Sequence, residues 1–301
     1  MDAPAVEASI EPRAALSALG YPDISEPVRV VGGWDTLMWR FKTADGAAHS
    51  LRVHYLPDRE EFARRERIAM EACAAAGLPA PRVEATGRVE GLPATVLSWC
   101  PGRPILSFIE KRPWTLLRMS RLLGRAQARM HAVTPPAEFV AGAPDDWLSR
   151  VSGQYADLAA HARTLDLATT SLIHMDFHPL NVVSDGREVT GIVDWARAGA
   201  GDPRADLART EIIILAAPVP PGPLKPILNL TRSLLLRSWR AGYRDLAGPL
   251  PDYRPLRAWA GATLLAEIEL VIDKPEVWGT REDIEKFGGL VEGWAKEYGI
   301  R

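Results

Sequence analysis

The stretch from Leu172 to Asp194, LIHMDFHPLNVVSDGREVTGIVD, constrains this chain more than any other. An apolar run, Ser171-Leu172-Ile173, leads into His174-Met175-Asp176, and four residues separate Asp176 from Asn181. Asn181–Ser184 reads as a short strand, Asp185-Gly186 as a hairpin turn, and Val189–Val193 as the returning strand. Such a hairpin opens one strand with Asn181 and closes the other before Asp194, side by side, with Asp176 just ahead of them. An amide oxygen and a carboxylate together suit a hard cation such as Mg²⁺, with waters and phosphate oxygens completing the shell. A second carboxylate outside that shell is placed to orient a nucleophile and take its proton. A rival reading makes His174-x-Asp176-x-His178 a transition-metal site with imidazole and carboxylate ligands. Against it, the chain has only 6 His and no further cluster to complete the set. Pro179 also implies that the strand has ended by His178.

The 301 residues can build one large or two modest domains. A net charge of −2, from 36 basic and 38 acidic residues, gives no bias towards nucleic acid or an anionic membrane. Cys73 and Cys100 show neither metal spacing nor a disulfide framework, which suits a reducing cytoplasm. Residues 1–15 are acidic and lack the apolar core of a secretory signal. Apolar runs such as Ile212–Val219 are too short to span a bilayer. The expected setting is cytoplasmic, as a monomer or homodimer, without nucleic acid or membrane.

The N-terminal third reads as strands with one helix. After a short helix around Ala14–Leu19, strands are expected at Val28–Val31, Leu37–Thr43, Ala47–Tyr55, Arg82–Gly87 and Ala94–Trp99, a five-stranded antiparallel sheet. Gly32-Gly33 could let backbone N–H groups approach phosphates, or simply turn the chain. Asp58 reads as an N-cap with Glu61 as its capping-box partner, and the helix stops at Gly77. Glu66 falls on the apolar stripe of that helix, with Phe62, Ala69, Met70, Cys73 and Ala76. A carboxylate on a buried face needs a partner, and Arg52 is the nearest candidate in sequence. Otherwise Arg52 is an exposed arginine and Glu66 a helix-edge glutamate.

His174-Met175-Asp176-Phe177-His178-Pro179-Leu180-Asn181 and Val193-Asp194-Trp195 resemble the catalytic and metal-binding loops of the aminoglycoside phosphotransferase and choline kinase-like family of small-molecule kinases. Gly201-Asp202-Pro203-Arg204-Ala205-Asp206-Leu207-Ala208 is similar to the motif that follows in that family. The resemblance implies a two-lobed α+β protein-kinase-like fold. Residues 1–101 would form a nucleotide-binding lobe and 102–301 a mainly helical lobe with the catalytic and metal loops. It implies transfer of the γ-phosphoryl group of ATP or GTP to a hydroxyl of a small molecule. Asp176 would be the base, and Asn181 and Asp194 the Mg²⁺ ligands. Arg52, fixed by Glu66, would hold the phosphates with Gly32 and Gly33. The linker Ser98–Cys100 would pair with the nucleotide base through its backbone. Arg52 stands where the family has Lys, a planar fork in place of a point charge. That departure supports the alternative of a nucleotide-binding regulator with weak or no transfer.

Helices are expected over Trp114–Ala132, Asp146–Thr164, Leu224–Leu246, Tyr253–Asp273 and Glu282–Tyr298. Arg118, Arg121, Arg125 and Arg129 form a basic stripe on the first of these, read as a solvated face. Asp202 reads as an N-cap before Pro203, with Asp206, Arg209 and Glu211 able to face a substrate. For a cationic acceptor, Asp145, Asp146, Asp206, Glu211, Glu267 and Glu269 are the acidic candidates.

Overall fold

A computed structural model describes residues 7, 9–30, 36–55, 60–143, 145–151, 153–217, 223, 225–269 and 280–300. The chain divides into two compact units. One is residues 1–102 with 190–197, and the other is 103–189 with 198–301.

The first unit holds helix α1 (Pro12–Ala18), strands β1 (Val28–Val30), β2 (Thr36–Lys42) and β3 (Ala48–His54), helix α2 (Glu60–Ala75), and strands β4 (Val83–Val89) and β5 (Leu92–Ser98). The five strands form the expected antiparallel sheet, in the order β1-β2-β3-β5-β4. β3 lies inside the sheet, with Arg52 opposite Met38 on one side and Thr95 on the other. Its alternation sorts the two faces. Leu51 and Val53 join Leu16, Leu37, Trp39, Phe41 and Val96 in an apolar core. Each such side chain contributes about 1.5–3 kcal/mol on burial. Ser50, Arg52 and His54 point the other way and are also buried, because α2 supplies Glu66 on that side.

α2 ends as its sequence requires. Gly77 takes φ 67°. The Leu78 N–H reaches the Cys73 carbonyl and the Gly77 N–H the Ala74 carbonyl, which closes the last turn. Ala76, assigned to the apolar stripe, is exposed beyond the helix end. Asp58, Gly32 and Gly33 lie outside the described residues, so the N-cap and phosphate-loop expectations have no structural counterpart here. β4 and β5 run longer than expected and meet in a tight turn, with Glu90 at φ 50° and Gly91 at φ 76°. Two left-handed residues are what a type I′ hairpin demands.

The second unit opens with β6 (Arg103–Pro104), α3 (Ile105–Lys111) and α4 (Leu116–His131). The segment expected as one helix over 146–164 is broken: a single turn, Asp145–Leu148, then a 3₁₀ turn, Gly153–Tyr155, then α5 (Ala156–Thr164). Gly153 at φ 61° is incompatible with a continuous right-handed helix. There follow β7 (Ser171–Ile173), β8 (Val182–Ser184), β9 (Val189–Ile192), β10 (Gly199–Gly201), α6 (Pro203–Ala216), α7 (Lys225–Ala247), α8 (Arg257–Glu269) and α9 (Arg281–Glu297). β9 begins in the second unit and ends in the first. A 3₁₀ turn, Arg254–Leu256, replaces the expected start of α8. β10 pairs with β7 and β6 with β8.

α4 and α7 meet backbone to backbone. A Cβ on Gly124 would lie 2.0 Å from the Trp239 carbonyl oxygen, and one on Gly242 would lie 2.1 Å from the Arg121 carbonyl oxygen. Trp239 and Trp259 are fully buried, as expected of core tryptophans. No described helix is long and apolar enough to cross a membrane.

Candidate active site

The first unit brings three of the expected residues together. Arg52 Nη1 donates to Glu66 Oε1 at 2.6 Å, and Arg52 Nη2 lies 3.5 Å from Asp194 Oδ1. Glu66 also accepts from the backbone N–H of Trp195, and its second oxygen lies 3.5 Å from His54 Nε2. The segment carrying Asp194 is built into this unit: Ile192 N–H donates to the Pro79 carbonyl at 2.7 Å, and Trp195 is fully buried with its indole N–H on the Ile192 carbonyl. Asp194 itself is a non-glycine residue at φ 67°, with its side chain 40% exposed. Such strain persists only where the surroundings enforce it, and it gathers at functional positions.

Burial pushes the Glu66 carboxyl up to about 7, with Arg52 pulling the other way and Asp194 adding to the rise. Arg52 is disfavoured by burial, yet Glu66 and Asp194 hold it above its ordinary value. Its Nε proton has no hydrogen-bond partner among the described residues.

The segment expected to meet a nucleotide base, Ser98–Cys100, is partly taken up by the sheet. The Ser98 N–H donates to the Arg82 carbonyl and the Ser98 hydroxyl accepts from the Arg82 N–H, so Ser98 finishes the sheet. The Trp99 N–H reaches the Ala48 carbonyl at 3.0 Å. The amide of Ser98 is therefore not available to a nucleotide base, and Cys100 is the first residue beyond the sheet bonding. Burial pushes the thiol of the half-buried Cys100 up to about 11.

The second unit holds Asp176 and Asn181. Asn181 Nδ2 donates to Asp176 Oδ2 at 3.1 Å and to the Asp176 carbonyl at 3.0 Å, and lies 3.1 Å from His178 Nε2. With its nitrogen turned to Asp176, Asn181 keeps its amide oxygen for another partner. The Asp176 side chain is 28% exposed, open enough to meet a substrate. His178 Nδ1 accepts from the Leu180 N–H, and His174 Nδ1 from the Asp176 N–H. Both imidazoles thus brace the loop. Among the described residues no group of three His, Cys, Asp or Glu is arranged to hold a metal ion, which leaves the transition-metal reading without support.

What holds this loop was only partly legible. Met175 adopts φ 66° immediately before Asp176. Asp206 Oδ1 accepts from the N–H groups of His174 (3.1 Å) and Met175 (2.5 Å), while Arg209 Nε donates to the Met175 carbonyl at 3.0 Å. Asp206 Oδ2 takes Gln127 and His131, and His131 in turn meets the Tyr243 hydroxyl. Burial raises the Asp206 carboxyl, but His131 and Gln127 outweigh it and hold it below the usual range. Asp206 and Arg209 therefore do not face a substrate; they position the loop. Their spacing of three on α6, just after the Asp202 cap, was the available signal.

The acidic candidates for a cationic acceptor are largely engaged. Glu211 takes Arg240, Arg257 and the Tyr253 hydroxyl, and Glu267 takes Arg209. Glu269 is exposed, and the side chains of Asp145 and Asp146 lie outside the described set.

Three solved structures of similar fold are an amicoumacin kinase complexed with AMP-PNP and Ca²⁺, a macrolide 2′-phosphotransferase from Brachybacterium faecium, and an ethanolamine kinase from Plasmodium vivax. The first matches at TM-score 0.67 and 13% identity, covering 98% of this chain and 96% of that one. The second gives 0.57 and 17%, covering 93% and 97%. The third gives 0.52 and 10%, covering 90% and 82%. At such identities the likeness is one of fold: a kinase-like sheet unit and a mainly helical unit. No curated protein sequence matches the chain. The family description "Phosphotransferase enzyme family" matches residues 27–259, which take in Arg52, Glu66, Asp176, Asn181, Asp194 and Asp206 alike. This chain belongs to that family of phosphotransferases.

Proposed function

We propose that the protein moves the γ-phosphoryl group of Mg-bound ATP or GTP to a hydroxyl group of a small molecule. Asp176 orients the hydroxyl and takes its proton as the bond to phosphorus forms. The side-chain oxygens of Asn181 and Asp194 are the donors a hard divalent cation prefers, so the residues present fit Mg²⁺. The cation would neutralise charge on the β- and γ-phosphate oxygens. Arg52, oriented by Glu66, offers its remaining N–H groups to the phosphates, and the backbone at Cys100 to the base. Positioning and charge neutralisation supply most of the rate gain.

The observation that carries this reading is the Asp176–Asn181 pair, 3.1 Å apart, with the carboxylate partly exposed. Relatives of the fold act, by their names, on amicoumacin, macrolides and ethanolamine, so acceptors of those kinds belong in the first trial. Mass spectrometry should find one phosphate added to an acceptor offered with Mg·ATP or Mg·GTP, and none with Asp176→Asn. Undiminished product with Asp176→Asn would remove the base assignment. Absence of nucleotide binding would remove the kinase reading altogether.

A further inference from the structure

α4 and α7 leave a groove of about 640 Å³ on the second unit, and it shares no residue with the site above. Arg118, Arg121 and Arg125 line it from α4, Arg237 from α7, and Arg187 from the turn after β8. The α4 arginines are three and four residues apart, so one face carries them all. Among the described residues Asp245 answers the larger part of this charge, and Asp185 lies within the field of Arg187. Asp245 takes Arg121 through two hydrogen bonds of 2.6 Å and lies 3.6 Å from Arg125. Arg118 donates to the Gly186 carbonyl and keeps its charge. Asp185, on the same turn as Arg187, is engaged by the backbone N–H groups of Arg187 and Glu188. Among the described residues no carboxylate forms an ion pair with Arg118 or Arg237, and Arg187 meets Asp185 only at longer range. Between the arginines the wall is apolar: Leu117, Leu122 and Leu234, with Leu117 55% exposed.

We propose that this groove binds a small amphipathic anion, a phosphate or carboxylate head on a short aliphatic body. Guanidinium groups grip such heads through paired N–H donors. The excess positive charge raises the local concentration of anions. The leucines give the aliphatic body a surface to leave water on. The volume falls within the range of small-molecule sites, roughly 300–1,000 Å³. The basic stripe of α4 is thus more than a solvated helix face.

The test is calorimetric titration of the full-length protein with octyl phosphate below its micelle-forming concentration. One saturable site is expected, with much weaker binding of octanol or inorganic phosphate alone. Arg118→Glu combined with Arg237→Glu should weaken it by about tenfold or more, the loss of charge-assisted hydrogen bonds. Leu234→Gln should weaken it several-fold, and Arg67→Glu, on the exposed face of α2, should leave it unchanged. Lack of saturable binding, or equal affinity in the charge-reversed protein, overturns the proposal. Binding confined to vesicles containing phosphatidylglycerol also overturns it, and assigns the surface to a membrane instead.

Discussion

Arg209 grips the Met175 carbonyl at 3.0 Å from the same helix whose Asp206, one turn earlier, takes the Met175 N–H. Both ends of a residue in a disfavoured conformation are thereby held by α6, and the next residue is Asp176. Arg209 is itself fixed by Glu267 at 2.8 Å and the Ala260 carbonyl at 3.3 Å. Arg209→Met should let the loop shift by a fraction of an ångström. Catalytic geometry punishes such shifts steeply, so kcat should fall by about tenfold to a hundredfold with nucleotide affinity little changed. Arg209→Lys should recover part of the loss, and steady-state kinetics with a nucleotide-binding assay reads both. A fall in nucleotide affinity equal to the fall in kcat would point to general misfolding instead.

The Arg52–Glu66 pair carries a pH signature. With Glu66 raised to about 7 from an ordinary 4.5, the folded protein keeps a proton there that the unfolded chain has lost between those values. The contribution of this group to stability therefore falls as pH rises through that window. Arg52→Met removes the cation that offsets the ionised carboxylate. It should cost more at pH 8 than at pH 5.5, where Glu66 is neutral, by about 1–1.5 kcal/mol, the cost of protonating at pH 8 a group that titrates near 7. Urea unfolding at the two pH values measures the difference. Adding Glu66→Gln should abolish the pH dependence of the Arg52→Met effect; an equal cost at both pH values would mean that Arg52 does not serve the Glu66 charge.

The crossing of α4 and α7 leaves no room for a methyl group. Gly124→Ala and Gly242→Ala each force the two backbones apart and should destabilise by about 1–3 kcal/mol or more. The double variant should cost less than the sum, because one separation relieves both clashes. Gly293→Ala on α9 meets nothing within 4 Å and is the control. It should stabilise by up to about 1 kcal/mol through helix propensity. Thermal melting of the four proteins ranks them.

Sequence periodicity was enough for the five-stranded sheet, α2 with its glycine stop, and the long helices, because alternation and caps are local signals. It was enough to join Arg52 to Glu66, since a carboxylate on an apolar stripe demands a partner. It failed at 146–164, where one glycine in a left-handed conformation outweighs a helical apolar pattern. It missed α3, seven residues beginning directly after Pro104, where no element was expected. The inward roles of Asp206, Arg209 and His131 depend on which elements pack together over 30 residues or more of chain, and spacing alone does not carry that. Ser98 illustrates the same limit: its N–H donates to the carbonyl of Arg82, sixteen residues earlier.

Thr190–Arg197 belongs to the first unit although 87 residues of the second unit, from Arg103 to Val189, precede it in the chain. On the ribosome this sets an order of events. The sheet and α2 emerge first, but Glu66 stays without the Trp195 amide, and Arg52 without Asp194, until those residues follow. At roughly 5–20 residues per second that wait is about 5–20 s. Throughout it the nascent sheet unit lacks the Asp194 carboxylate and the buried Trp195 indole, and it completes itself only after α4 and the loop carrying Asp176 and Asn181 have been made. No single cut in the chain can therefore release either unit whole.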